Sequence, residues 1–322
     1  MDTLRRMIHL RIVAPAERSE KVVGLLEATP SVSSLAQFEG AARKPRGDVI
    51  LCDVAREDAS VVIQDLRDLG IQREGSISIE EVESQVSEAA ERAERAAPGL
   101  SGNAVVWEEV ESRTSESSEL NGNFLAFIVL ACLIASVGVM LGQPILIIGA
   151  MVVGPEFGPL AGICVAAVER RRDPGLRSLL ALAVGFPAGI TAAFLFALFA
   201  QATGLVGPDF SLDDHPLTEF ISEPGTFSFI VALFAGMAGM LSLTSAKSGA
   251  LVGVLISVTT IPAAAAIGVS AAVSDWSNWV GAMGQLAINL SAIVLAGLTT
   301  LYVQRAVYER RRRRHLQTLD GG

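Results

Sequence analysis

GAMVVGPEFGP, residues 149–159, lies inside a long apolar run and sets a carboxylate, Glu156, between two Gly-Pro pairs. Proline removes a backbone donor and clashes with the preceding turn of a helix. In hydrocarbon the carbonyls it frees need another partner, so such a break persists only where it faces protein or a cavity. A carboxylate at the same place costs about 3 kcal/mol on insertion scales. The stretch therefore decides two things: the chain spans a membrane here, and the span is interrupted.

A spanning helix needs about 20 mostly apolar residues. The run 145–168, which contains the break, meets this, as do 124–141, 179–200, 227–245, 250–273 and 283–303. The expectation is six spans. The connections test it. Glu169-Arg170-Arg171-Arg172-Asp173 and Arg177 follow the second run, Lys247 the fourth, and Arg305 and Arg310–Arg314 the sixth. The link between the third and fourth carries Asp209, Asp213, Asp214, Glu219 and Glu223 and no Lys or Arg. Trp276 and Trp279, with Asp275, mark an interface between the fifth and sixth. All cationic links fall on one side, which the positive-inside rule assigns to the cytosol together with both termini. The arginine run reads as a topology anchor, not a nucleic-acid patch, and Asp213-Asp214-His215 as a solvated acidic loop.

The fifth run carries a second break, Thr259-Thr260-Ile261-Pro262, flanked by Gly253 and Gly268. The middle helix of each set of three is thus interrupted. Three spans per half reverse the second half, so the pattern is that of a 3+3 inverted repeat, whose matching broken helices point to a midplane transport site. Gly154, Gly158 and Gly162 are spaced by four, as are Gly185/Gly189 and Gly249/Gly253, a spacing that lets helices approach closely. Glu156 is the acidic residue deep in a span. With Lys247 at a boundary and no base inside, it is protonated, hydrated in a cavity, bound to a cation, or capped by half-helix N–H groups.

Composition agrees with this division. Of 322 residues, 51% are hydrophobic and 18% charged, but residues 1–123 hold 14 Lys+Arg and 23 Asp+Glu, while 124–322 hold 11 of each. A polar domain precedes a membrane domain. The N-terminus has too short an apolar stretch for a signal peptide, so the first domain is expected in the cytosol. Cys52, Cys132 and Cys164 show neither disulfide-framework nor zinc spacing.

The first domain reads as β-α-β-β-α-β. Strands are expected at 6–14, with Ile8, Leu10 and Ile12 on the apolar face, and at 31–38, 48–54 and 76–82. Helices are expected at 17–28, with Val22, Val23, Leu25 and Leu26, and at 59–69, with Val62, Ile63, Leu66 and Leu69. EGAARKPRG (39–47) reads as a turn. That order is a ferredoxin-like sandwich over 1–82. His9 reads as a surface histidine. A charged helix at 88–97 and a polar segment form a linker over 83–123, where Trp107 with Val105 and Val106 is either interfacial or part of a linker helix. The membrane domain is 124–304 and the basic tail 305–322.

The residues IIGAMVVGPEFGPLAGI (147–163) and GALVGVLISVTTIPAAAAIGV (249–269) resemble a widespread prokaryotic family of membrane proteins, the "uncharacterised hydrophobic domain" family, named for its unknown function. The resemblance covers the membrane region and, loosely, the domain before it. It implies architecture and no activity. The form of the first motif typical of the family has Ser-Pro and apolar residues where this chain has Gly154-Pro155-Glu156-Phe157, so the role of Glu156 is read from this chain alone.

The functional expectation is a transport protein or channel of the plasma membrane for a small solute or ion, not an enzyme. No in-span His, acid pair or Ser/Lys constellation is present. Its pathway runs between broken spans two and five, with Glu156 as cation or proton site. Gly154, Pro155, Gly158, Pro159, Pro262, Thr259 and Thr260 shape it, and Gln143 and Asn289 are further polar candidates. Partners are the lipid bilayer, the ion or solute and a further copy of the chain, with no nucleic acid and no cofactor. The alternative is a membrane-anchored sensor or scaffold whose soluble domain binds a ligand or partner.

Overall fold

The computed structural model describes residues 7–82, 85–97, 105–206, 225–245 and 259–320. The acidic link 209–223, Lys247, the Gly249/Gly253 pair and the first part of the fifth expected span lie outside these residues. The chain divides into two compact units. One comprises Met1–Val110, Thr244–Ala246 and Tyr308–Gly322; the other comprises Glu111–Leu243 and Lys247–Val307.

The first unit holds β1 (Met7–Ala14), α1 (Ala16–Ala28), β2 (Val32–Arg43), β3 (Arg46–Ala55), α2 (Arg56–Asp68), a short α3 (Ile71–Glu74) and β4 (Ser76–Glu81). The strands form one antiparallel sheet in the order β2-β3-β1-β4. Alternation in β1 sends Ile8, Leu10 and Ile12 inward, all at 0% exposure, against Val22 and Leu26 of α1 and Val62, Ile63 and Leu66 of α2. Burial at about 1.5–3 kcal/mol per large side chain explains why this face fixes the register. Leu10 faces Cys52 on one side and Ile79 on the other.

The stretch 39–47 is mostly strand instead of loop: Arg43 pairs Arg46 across a Lys44-Pro45 turn. Gly40 bends β2 where the register shifts, with φ +60°, and its N–H donates to Asp48 Oδ1 at 2.8 Å. A left-handed backbone favours glycine, so the residue that looked like a turn signal marks a bulge. That N–H, with the Ser19 hydroxyl and then Gln37, holds the Asp48 carboxyl below its ordinary value. Burial, and secondarily Asp53, push the Cys52 thiol up to about 12, which keeps it a core residue.

α4 (Glu88–Ala96) starts at Ser87, whose hydroxyl caps Ala90 N–H, and lays Ala90, Ala93 and Ala97 against Met7 and Ala55. α5 (Trp107–Ser117) follows. Trp107 is 5% exposed and packs edge-to-face on Tyr308 at 6.5 Å, so it belongs to the core of this unit and not to a bilayer interface. Arg312 closes the same surface on Asp68 at 2.8 Å.

The second unit is helical: α6 (Gly122–Leu141), α7 (Pro144–Val153), α8 (Phe157–Glu169), α9 (Arg172–Ala202), α10 (Thr226–Thr244), α11 (Thr260–Ala272) and α12 (Trp276–Asp320). Asn121 caps α6 by accepting Phe124 N–H at 2.8 Å, and Gly142, at φ +60°, ends it. Among the described residues four helices, α6, α9, α10 and α12, are long and apolar enough to cross a membrane. The pair α7 and α8, bent by 46°, makes a fifth if it counts as one span. Of the six expected spans, four or five are thus present among the described residues, and the fifth expected run is described only from Thr259. α11, of 13 residues, rises only about 20 Å, less than the hydrocarbon thickness. The expected sixth span and basic tail form one 45-residue helix, because Arg, Glu and Leu continue the helix without a breaker.

Close contacts are made where glycine faces a neighbour. A Cβ on Gly189 of α9 would meet Cys132 Sγ of α6 at 2.6 Å, and one on Gly185 would meet Phe124 at 2.8 Å, so the predicted small face packs as expected. Gly236 of α10 meets Ile293 Cα of α12 at 2.9 Å in the same sense. Gly268 of α11 lies on Ile190 and Ala193 of α9, and Gly297 of α12 on Cys164 of α8. At one end of the unit Glu169 pairs with Arg305 at 2.7 Å, and Arg171 pairs with Glu111.

Candidate functional site

The break in the second span is Gly154-Pro155-Glu156. Gly154 ends α7 in an extended conformation, ψ 129°, as a residue before proline must. The prolines themselves interrupt less than the sequence suggests. Pro159 is the third residue of α8 and Pro262 the third of α11. In a first turn the missing N–H has no intrahelical partner to lose. Both prolines therefore lie in the first turn of a helix, where they break no intrahelical bond.

Glu156 sits at the N-terminus of α8 with only 1% of its surface exposed. Its side chain does not cap that helix. Instead Glu156 Oε1 accepts the Thr260 hydroxyl, Oγ1, at 2.7 Å. This one bond joins the N-terminus of α8 to that of α11. Its other oxygen, Oε2, is buried without a hydrogen-bond partner among the described residues. A Cβ on Gly154 would collide with Oε2 and stand 2.6 Å from Ile261 Cγ1, so glycine is what lets the carboxylate fold back against α11.

The polar line continues onto α12. Asn289 Nδ2 donates to Thr259 Oγ1 at 2.7 Å. Asn289 is 1% exposed and its Oδ1 has no partner. One turn earlier, on the same face, Gln285 is 0% exposed and neither of its amide atoms is partnered. Gln285 was not among the residues expected from the sequence. The signal was there, an amide pair four apart inside an apolar run, but amides are weaker outliers in such a run than an acid.

The remaining expected residues lie elsewhere. Gly158 faces Ser117, and its carbonyl accepts Ser118 Oγ at 3.2 Å. Pro159 is buried in α8 packing. Gln143 is exposed at the α6–α7 turn, where its N–H donates to Gly138 O at 2.8 Å. Gly154 and Pro155 line an open cleft with Asn121, Phe124, Phe157 and Leu243. The carboxylate thus lies one residue from a cleft while being covered itself. His9 and Asp53 meet at 2.7 Å on the sheet, and Gln85 donates to the other Asp53 oxygen.

These helices and this sheet define the class, a helical membrane protein carrying a small N-terminal antiparallel sheet. Residues 151–295, from within α7 to α12, match the family described as "Domain of unknown function (DUF389)". The resemblance seen in the motifs holds over this region. An uncharacterized protein of Methanocaldococcus jannaschii is 26% identical over 196 residues, 59% of this chain and 58% of that protein. The chain thus spans a little over half the length of this curated relative. No solved structure matches.

Proposed function

We propose that this protein is a transporter or channel for a small solute or ion, with its pathway at the broken segments and Glu156 as the cation or proton site. The carrying observation is the Glu156–Thr260 bond, which brings the only deep carboxylate of the described spans to the start of the second half-helix.

A constant spacing of 104 residues supports the reading. α6 and α10 begin 104 residues apart, as do α9 and α12. The same shift takes Cys132 to Gly236 and Gly189 to Ile293, turning one close contact into the other. It takes Ile190 and Ala193 to Val294 and Gly297, while the reverse shift takes Gly268 to Cys164, whose Sγ lies 3.6 Å from Val294 O. Glu156 shifts onto Thr260, its own partner, so this pair lies where the two halves meet. On this reading the halves form a 3+3 inverted repeat with six spans, and the site lies on the axis between them.

The N-terminal unit, with a ferredoxin-like strand order, gates the pathway or assembles protomers. The protein sits in the plasma membrane with both termini cytosolic, and it catalyses no covalent step. Flux of a panel of ions and solutes into proteoliposomes tests the proposal. Absence of flux for the whole panel, or flux unchanged in Glu156→Gln, counts against it.

A further inference from the structure

We propose that Gln285 and Asn289 complete, with Glu156, a binding site for a monovalent cation stripped of most of its water. The inference rests on the transport reading above and names the class of ion that its site takes. Three acceptor oxygens carry it. Glu156 Oε2, Asn289 Oδ1 and Gln285 Oε1 are all buried and all lack a hydrogen-bond partner. Buried polar atoms in native proteins are nearly always satisfied, so three that lack a partner on linked segments call for something that satisfies them. Because both amide atoms of Gln285 are free, either orientation of the amide presents an oxygen.

The three belong together. Gln285 and Asn289 are one turn apart on α12. Asn289 holds Thr259, and the adjacent Thr260 holds Glu156. Packing does not demand amides here. The positions 104 residues earlier are Ala181 and Gly185, both buried on α9. The first half fills the equivalent face with small side chains, and only the second half carries the polar pair.

Charge and ligand type then set the ion. A single carboxylate balances one positive charge, whereas divalent cations are held by several carboxylates or by phosphates. Amide and carboxylate oxygens suit hard cations, and a ring of such oxygens replaces a hydration shell. Sodium, potassium and ammonium share this chemistry.

The test uses the full chain in lipid nanodiscs, unfolded thermally at constant ionic strength with choline replaced by sodium, potassium or ammonium. At least one of these ions should raise Tm saturably. Glu156→Gln and Gln285→Met should each weaken the midpoint about tenfold or more. In choline, Gln285→Met should itself melt higher than the parent, because an apolar group of similar shape replaces two unsatisfied atoms. Gln285→Glu, a near-isostere, should move the preference towards calcium. The proposal is overturned by no monovalent effect over choline, by a full effect in Gln285→Met, by a Tm that follows pH alone, or by unchanged ion preference in Gln285→Glu. Binding without flux of the same ion sinks the transport reading and leaves the site. Flux without a cation-specific shift does the reverse.

Discussion

Glu156 and Thr260, 104 residues apart, are joined by a 2.7 Å bond between Oε1 and Oγ1 in which the hydroxyl donates. Among the described residues this is the one hydrogen bond that the buried carboxyl group makes to another side chain. Thr260→Val keeps the shape and removes it. Stability should fall by about 1–3 kcal/mol, the cost of leaving a buried polar group unsatisfied. In choline, without sodium, potassium or ammonium, Glu156→Gln keeps an acceptor for Thr260 and should melt no lower than the parent. Equal melting of parent and Thr260→Val in detergent would show that the bond contributes nothing.

Gly154 should tolerate no side chain. Its Cβ would meet Glu156 Oε2 and Ile261, so Gly154→Ala should cost about 1–3 kcal/mol. Removing the obstacle should recover part of this. In a double-mutant cycle Glu156→Ala should couple favourably to Gly154→Ala, whereas Glu156→Gln, of the same length, should not. Additive behaviour in both cycles would mean that α7 and α11 separate to admit the methyl.

The break was legible because a Gly-Pro pair and an acid are improbable neighbours in an apolar run. Its partner was legible as a bare Thr-Thr before a proline. What sequence could not reveal is that Pro159 and Pro262 fall in first turns, since that depends on where each helix begins. Periodicity found the inward face of β1, Ile8, Leu10 and Ile12, because strand alternation is strict. It failed at 39–47, where pairing with β3 carried a Gly-Ala-Ala stretch into the sheet. Trp107 reads either as interfacial or as part of a linker helix; it begins the helix α5, and its tertiary partner, Tyr308, lies 201 positions further along the chain, out of reach of local pattern.

The N-terminal unit should show one assignable acid transition. Asp48 is held below its ordinary value of 3.8, first by Gly40 N–H. A depressed native pKa adds stability that is complete above the unfolded value and lost as pH falls from there through the native one. Asp48→Asn should therefore remove part of the pH dependence below about 3.8. At neutral pH it should cost about 1–2 kcal/mol. The Asp48 carboxyl signal, followed by NMR titration of the full chain in nanodiscs, gives the direct measure. A midpoint at or above 3.8 would contradict the Gly40 contact.

The two related glycine contacts differ in what they touch, and that difference is measurable. At Gly189 the nearest atom to an added Cβ is Cys132 Sγ, the end of a side chain. At Gly236 the obstacles include Ile293 Cα and O, at 2.9 and 3.0 Å, which are backbone. Side chains can be shortened and backbone cannot. Gly189→Ala should lower stability and be rescued by Cys132→Ala, which deletes the sulfur. Gly236→Ala should lower it further and gain little from Ile293→Ala, because the colliding atoms remain. Helix pairs in membranes depend on such small-residue contacts, since lipid offers no hydrophobic drive between them. Melting curves of the two single and two double variants separate the cases. Equal rescue at both sites would mean that α10 shifts along α12 instead of meeting it at a fixed backbone contact.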